Sequence, residues 1–520
     1  MKTEITTPIS DFLRDYAASG ISRFHMPGHK GTDWCHEDAG CAIFSHDITE
    51  VKGADSLYEA SGIIRESEEN AALLFGSAAT YYSTEGSSQC IRAMLALAAS
   101  FGKRSSGGHP PLILAARNVH RSFLTAAALL DLEVQWLWPE DEYSLYSCPV
   151  DASFLEETIR SMPRKPDAVY ITSPDYLGNM QDIRAISEIA HKHDVLLLVD
   201  NAHGSYLHFL KTPLHPIDLG ADMCCDSAHK TLPALTGCAY LHLSRRFAKL
   251  PGSPDPSMVR RALSLFGSTS PSYLLLESLD RTNLILASGW KEQQDHCIRQ
   301  TMICKKELRR MGWQILGTDI DSCKDPQFSG ASEPLKITIC AGACGYTGTD
   351  LADILRKGQI ESEHADPDYL VLMISPSNTQ KDFDRLLHVM ESIPCPAPEG
   401  SIAAPFHSEG IHPETVMSIR EAFFAAHETV PVKKAVGRVC ADPAIACPPA
   451  IPLVVCGERI PAVFPARWRI RSPASAAPLR KSSRSAYSPP VRTGRKTCRM
   501  PANAWRICCA ACRIWRTPAC

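Results

Sequence analysis

The chain has 520 residues, of which 44% are hydrophobic and 21% charged, with a formal net charge of −3. That length exceeds one compact core and predicts a large domain with smaller ones. The composition is that of a globular protein, and no stretch reaches the roughly 18 apolar residues of a membrane span. The start, Met1-Lys2-Thr3-Glu4-Ile5, opens no apolar run, so no signal peptide is expected. The 21 cysteines are scattered, several inside apolar runs such as Met223-Cys224-Cys225. They read as buried free thiols of a cytoplasmic protein, not as a disulfide framework. Cys340 and Cys344 have no second ligand pair nearby, so no metal is assigned.

From about residue 70 to 245, short apolar runs alternate with helical stretches. Ser87–Phe101 reads as a helix with Ile91, Met94, Leu95, Leu97 and Ala98 on one face. Then follow a strand at Leu112–Ala115, a helix at Ser122–Leu130, and strands at Val134–Trp138 and Ala168–Thr172. Ile183–His193 is helical, and Val195–Val199, Met223–Cys225 and Cys238–Leu243 are strands. Strands apolar on both faces, alternating with helices, predict a mainly parallel sheet covered on both sides, with ligands beyond the carboxyl ends of its strands. Residues 272–312 are mostly helical. Leu335–Cys340, Asp350–Arg356, Gln359–Glu363, Tyr369–Ile374 and Lys381–Ile393 then read as strand, helix, a strand pair and a final helix. Residues 395–405 look like a linker, and 411–460 form a third piece.

After Glu458 no acidic residue occurs. Residues 461–520 carry 13 Lys and Arg, three Trp and five Cys, whereas residues 1–460 carry 41 Lys and Arg against 57 Asp and Glu. A basic tail for nucleic acid or an acidic partner, a disordered segment, and translation in a shifted reading frame after about Ile460 are the three readings. The frame shift is favoured, because Trp468, Trp505 and Trp515 are foreign to disordered tails.

Three loci carry chemistry. Ser227-Ala228-His229-Lys230-Thr231 follows the strand Met223–Cys225. A desolvated lysine there forms an imine with an aldehyde, and its small polar neighbours suit a phosphate. Asp200 ends the strand before Asn201-Ala202-His203, where a carboxylate would keep a pyridine nitrogen protonated. Ser83-Thr84-Glu85-Gly86-Ser87-Ser88 enters a helix, whose N-terminus attracts an anion. A fourth element, His120 in Arg117-Asn118-Val119-His120-Arg121-Ser122, would stack on a flat ring. Each element alone has a bland reading, as turn, cap or surface residue; together they point to pyridoxal 5′-phosphate.

In this order the four elements resemble the aspartate-aminotransferase-like, fold-type I, pyridoxal-phosphate enzymes. Further motifs narrow the resemblance to the Orn/Lys/Arg decarboxylase family in its short form, without an N-terminal wing domain. These are Phe24-His25-Met26-Pro27-Gly28-His29-Lys30-Gly31, Asp47-Ile48-Thr49-Glu50 with Gly53-Ala54-Asp55-Ser56-Leu57, and His229-Lys230-Thr231-Leu232-Pro233. Ser270-Pro271-Ser272-Tyr273, Ser278-Leu279-Asp280 and Pro448-Pro449-Ala450-Ile451-Pro452-Leu453 with Gly457-Glu458-Arg459-Ile460 also fit. The resemblance covers about residues 5–460. One departure is Tyr81-Tyr82, where the family usually has Asn-Gly.

The resemblance implies an α/β large domain with a mainly parallel seven-stranded sheet, plus smaller α+β C-terminal domains. Its divisions would be an N-terminal segment 1–60, a cofactor-binding domain 61–280, a small domain 281–395, a truncated decarboxylase domain 396–460 and the aberrant, disordered tail 461–520. It implies that Lys230 carries the cofactor, Asp200 pairs with the ring nitrogen, His120 stacks on the ring and His203 lies near the phenolic oxygen. Thr84, Glu85, Gly86, Ser227 and His229 would hold the phosphate. His25, His29, Lys30 and Thr269 would touch substrate or the neighbouring subunit of a homodimer or larger homo-oligomer. The implied reaction is decarboxylation of a basic amino acid, arginine or lysine before ornithine, feeding polyamine metabolism. No nucleic acid, membrane or metal takes part. The alternatives are an aminotransferase of the same fold and a cofactor-binding but inactive product of the altered C-terminus.

Overall fold

The structure is a computed structural model that describes residues 4–32, 43–102, 108–138, 146–317, 332–395, 412–442 and 450–462, and the backbone of Ala511–Trp515. The chain divides into two compact units, Met1–Gly410 and Ile411–Cys520.

The first unit is built on seven strands: β1 (Ala79–Ser83), β2 (Leu112–Ala116), β3 (Glu133–Leu137), β4 (Ala168–Thr172), β5 (Leu196–Asp200), β6 (Met223–Asp226) and β7 (Ala239–Leu243). They form one sheet in the order β1-β7-β6-β5-β4-β2-β3. The steps between β3, β2, β4, β5 and β6 are parallel, and β7 runs antiparallel to β6 and β1. This is the mainly parallel α/β sheet expected from the sequence. Every residue of β2, β5, β6 and β7 is buried, because helices cover both faces. The helix Ile183–Lys192 buries Ile183, Ile186, Ser187 and Ala190, a spacing of three and four residues. Its N-cap Asp182 accepts a 3.0 Å hydrogen bond from the Ala185 N–H.

Two elements depart from the sequence reading. Tyr81 and Tyr82 lie inside β1, which was not anticipated, and not in a loop. Aromatic residues suit a pleated, half-covered surface. The Tyr82 hydroxyl meets Ser67 Oγ at 2.7 Å and accepts from Asn283 Nδ2 at 2.8 Å, and the Arg260 guanidinium lies 5.2 Å over the Tyr81 ring. The strand expected at Gln359–Glu363 is displaced to β9 (His364–Ala365). Gln359 adopts φ 62° just past the helix Gly348–Lys357, and the residues after it are spent reversing the chain. β9 joins β8 (Lys336–Cys340) and β10 (Tyr369–Met373) in an antiparallel sheet of order β8-β10-β9. Against the expectation of free thiols throughout, Cys344 and Cys395 are disulfide-bonded, with Cα atoms 4.9 Å apart. Both chain segments converge on the carbonyl of Gly312, which brings the two sulfurs together.

The second unit holds β11 (His427–Pro431), β12 (Cys440–Asp442) and, between them, β13 (Ala511–Trp515). β13 is ordered backbone in the tail read as disordered; Ile514 and Trp515 suit a strand. The rest of the tail beyond residue 462 lies outside the described residues. No helix among the described residues is long and apolar enough to cross a membrane.

Candidate active site

Parallel strands deliver their C-terminal residues to one edge, and the singled-out residues of unit 1 gather there. β5 ends in Asp200, which is buried. Its Oδ2 accepts from the Tyr170 hydroxyl at 3.2 Å and its Oδ1 from the Ala202 N–H at 3.2 Å and Cys225 Sγ at 3.7 Å. Burial raises its affinity for a proton, against the opposing charge of Lys230. The register explains the partners: Asp200 stands beside Thr172 of β4 and Cys225 of β6.

Lys230 lies in the single-turn helix Ala228–Thr231 after β6. Its Nζ is 3.0 Å from Nε2 of His203, which the loop after β5 carries. Burial lowers the lysine's proton affinity, and Asp200 partly restores it. His203 is itself buried, and burial together with the charges of Lys230 and Lys336 holds its pKa well below the usual value. The imidazole is therefore neutral near neutral pH. His120 caps the helix Arg121–Leu130, its Nδ1 accepting from the Ser122 N–H at 3.2 Å. Burial, then the charge of Lys230, lowers its pKa to about 4, so it too is an uncharged, flat ring near neutrality.

At the other end of the site is the N-terminus of the helix Gly86–Gly102. The residues expected to hold a phosphate, Thr84, Glu85 and Gly86, lie where β1 passes into this helix. The Glu85 N–H donates to Ser83 Oγ at 3.1 Å and the Gly86 N–H to the Gly237 carbonyl at 2.8 Å, so both are engaged, and the Glu85 side chain is exposed. Thr84 is buried, and its carbonyl packs 3.2 Å from where a Cβ on Gly237 would lie. Ser87 and Ser88 stand in the first turn of that helix, where backbone N–H groups lack intrahelical partners. Their hydroxyls face partners from two other elements: Ser227 Oγ donates to Ser87 Oγ at 2.8 Å, and Ser122 Oγ to Ser88 Oγ at 2.9 Å. A Cβ built on Gly86, at φ 69°, would meet open space. His229 has its Nδ1 2.9 Å from the Cys238 carbonyl, which turns the ring toward β7.

Sequence reasoning missed several members of the site. Tyr170 and Cys225 were hidden in strands read only as apolar runs. Asp226, fully buried, accepts from Asn201 Nδ2 at 2.6 Å, and its Oδ2 lies 3.0 Å from His215 Nε2 and 3.3 Å from His242 Nε2. Burial alone would raise its carboxyl, but the two imidazoles hold it well below the usual range. This network orients Asn201, the neighbour of Asp200. Lys336, from β8, arrives 100 residues after the loci that sequence motifs marked. Its Nζ reaches Nδ1 of His203 at 3.3 Å. Conversely, His25, His29 and Lys30 contact their own N-terminal segment: His25 Nε2 meets the Tyr16 hydroxyl at 2.6 Å, His29 Nε2 meets Asp47 at 3.1 Å, and Lys30 Nζ donates to the His25 carbonyl at 2.5 Å. Thr269 is exposed. Among the described residues of one chain, none of these four is hydrogen-bonded to Lys230, Asp200, His203 or His120.

The arrangement fits pyridoxal phosphate. A lysine with lowered proton affinity, a buried carboxylate with raised affinity, a neutral flat imidazole and a helix N-terminus ringed by serine hydroxyls meet the amine, ring-nitrogen, ring-face and phosphate requirements of that cofactor. Thr172 Oγ1, beside Asp200, and Thr231 Oγ1, beside Lys230, are buried without a hydrogen-bond partner among the described residues. Replacing Ser87 and Ser227 together by alanine is expected to weaken cofactor binding roughly 10- to 100-fold, since a hydrogen bond to a charged group contributes about 1.5–3 kcal/mol. Fluorescence titration of the apoprotein measures it.

Residues 7–382 match the family model described as Orn/Lys/Arg decarboxylase, major domain, and residues 403–465 match that of its C-terminal domain. The chain is 30% identical over 466 residues to an arginine decarboxylase of Bacillus subtilis, covering 87% of this chain and 91% of that protein. It is 29% identical to an arginine decarboxylase of Halalkalibacterium halodurans, covering 88% and 92%. The fold is that of the lysine decarboxylase of Francisella novicida, with a TM-score of 0.71 at 20% identity, over 88% of this chain and 76% of that one.

Proposed function

This chain belongs to the Orn/Lys/Arg decarboxylase family, and from that membership we propose that it decarboxylates arginine. That the reaction is a pyridoxal-phosphate-dependent removal of CO2 from a basic amino acid follows from the family; an aminotransferase is not favoured. The choice of arginine rests on the activity named for relatives that match nearly the whole of their length. Incubation with L-arginine, L-lysine and L-ornithine, with CO2 measured, tests it. Arginine is expected to turn over fastest, and turnover of lysine with arginine inert would overturn it.

Bound cofactor supplies an electron sink for the pair left when the bond from Cα to the carboxylate breaks. The residues do the rest. Lys230 attaches the cofactor, and burial lowers the proton affinity of its amine, which makes the attacking neutral form easier to reach. Asp200, as a carboxylate, would hold a proton at the ring nitrogen, the ring's positive charge offsetting the burial that otherwise raises the carboxyl's own proton affinity. His120 covers the ring. Ser87, Ser88 and Ser227 hold the phosphate, with His229 behind them.

Glu363 is the counterpart for the substrate's distal cation. It is exposed, accepts from the Tyr176 hydroxyl at 2.9 Å, and its charge acts on both Lys230 and His229. Glu363→Gln is expected to raise KM for arginine roughly five- to tenfold, as an ion pair of about 1 kcal/mol would, with kcat nearly unchanged. In this reading the enzyme is a cytoplasmic homodimer. Thr269 and the segment His25–Lys30 face the neighbouring subunit's site, and residues 61–280 and 281–395 are its cofactor-binding and small domains.

A further inference from the structure

We propose that Lys336 is a positioning residue of the reaction, acting through His203 to fix which imidazole nitrogen carries the proton. The inference rests on the cofactor assignment above and concerns a residue outside every motif that pointed to it.

Lys336 opens β8 and is 2% exposed, so its ammonium is in a place where lysine is almost never found without a task. Its Nζ is 2.5 Å from Glu333 Oε1, donates to the Asp175 carbonyl at 3.3 Å, and donates to His203 Nδ1 at 3.3 Å. Glu333 is 1% exposed and accepts from the Tyr206 hydroxyl at 3.1 Å. The buried carboxylate keeps the lysine charged, and a charged lysine has no lone pair to accept with. His203 Nδ1 is therefore the acceptor, and the one proton of a neutral imidazole sits on Nε2. Nε2 is the atom that faces Lys230 at 3.0 Å. Without Lys336, either nitrogen could carry the proton, and a bare Nε2 would offer the site no donor. The loop Asp175–Gly178 is shaped around this device: a Cβ on Gly178, at φ 95°, would come within 3.1 Å of Lys336 Cδ and 3.3 Å of Glu333 Cγ.

The ammonium also acts on the attachment lysine. The groups facing Lys230 are His203, Asp200, Lys336, Glu363, Cys225, His120 and His229; those facing His203 are Lys230, Lys336, His120, His229 and the Tyr176 ring, 5.1 Å away edge-on. Removing the Lys336 cation takes away a repulsion, so a positive charge at Lys230 Nζ becomes easier to hold.

The test is a pH titration of the visible band of the holoenzyme for wild type, Lys336→Met, Lys336→Arg and His203→Gln, with kcat and KM for CO2 release. Lys336→Met is expected to raise the midpoint of the band's titration by about one pH unit. It is expected to lower kcat about tenfold or more with KM within about twofold, as for groups that orient a site imidazole. Lys336→Arg, still a charged donor, restores the midpoint. In the His203→Gln background, Lys336→Met should lower kcat no further, because the ring it acts on is gone. If Lys336→Met does not fold, Glu333→Gln carries the test: the lysine loses its counter-charge, its repulsion of a positive Lys230 is no longer offset, and the midpoint should fall. An unchanged midpoint in a folded variant, or fully additive losses of kcat in the double variant, overturns the proposal. A wild-type protein that shows the band but releases no CO2 defeats the decarboxylase reading instead, and leaves the titration still able to judge Lys336.

Discussion

Lys230→Ala is expected to remove the visible band and to lower kcat by at least about 10⁴-fold, the scale of losing a covalent nucleophile. The loss is chemical. Lys230 is partly accessible, and its Nζ contacts only His203 at hydrogen-bonding distance among the described residues. The backbone of its short helix is held by bonds that alanine keeps, from the Lys230 N–H to the Ser227 carbonyl at 3.1 Å and from the Leu232 N–H to the Ala228 carbonyl at 2.9 Å. A cation disfavoured by burial is removed, so thermal stability of the apoprotein should not fall. Lysine is also the one site residue whose loss no added base replaces fully, because an exogenous amine lacks the effective concentration of a tethered one.

Asp200→Asn is expected to lower kcat about 10²–10³-fold, the cost of removing one preorganised charge from a buried site. Asparagine keeps the size and, with its one oxygen, still accepts from the Ala202 N–H where Asp200 does, while its NH2 group turns to the Tyr170 hydroxyl oxygen as a donor. It holds no proton for the ring nitrogen, so the electron sink weakens while binding persists. The stability effect has the opposite sign. The folded-state pKa of Asp200 is raised above its unfolded value by burial. A group raised in this way contributes stability at pH below the unfolded pKa and loses that contribution as pH rises through the folded one. At neutral pH the charged Asp200 therefore costs stability in the apoprotein, and Asp200→Asn should melt no lower than wild type. Calorimetry of the apoproteins with steady-state CO2 release separates the two effects. A variant that loses activity and stability together would place Asp200 in the scaffold instead.

The sheet was legible because its strands bury both faces: Leu196–Val199 is apolar at every position, and burial at every position is what the structure shows. Asp200 was legible because it ends such a strand, where a charge is out of keeping with the run before it, and Lys230 because it follows one within a few residues, among small polar neighbours. β1 was not, since Ala-Thr-Tyr-Tyr-Ser has neither alternation nor a long apolar run, and its tyrosines are satisfied only by Ser67, Asn283 and Arg260 from distant elements. The phosphate end was legible only in part. Composition located the helix N-terminus but did not reveal that the Gly86 N–H is spent on Gly237. Lys336 was invisible for a different reason. In Glu333-Pro334-Leu335-Lys336 the two charges look like a solvated pair at a strand start, and only long-range packing puts both out of water beside His203. The Cys344–Cys395 bond, spanning 51 residues, belongs to the same class of long-range fact.

The central claim is that Lys230 is the lysine bearing the cofactor, and the site holds a second buried lysine, Lys336, on the other side of His203. Reducing the loaded enzyme with borohydride, digesting it and mapping the pyridoxyl group by mass spectrometry distinguishes them directly. The account predicts the label on Lys230 alone; a label on Lys336, with Lys230 unmodified, would contradict it.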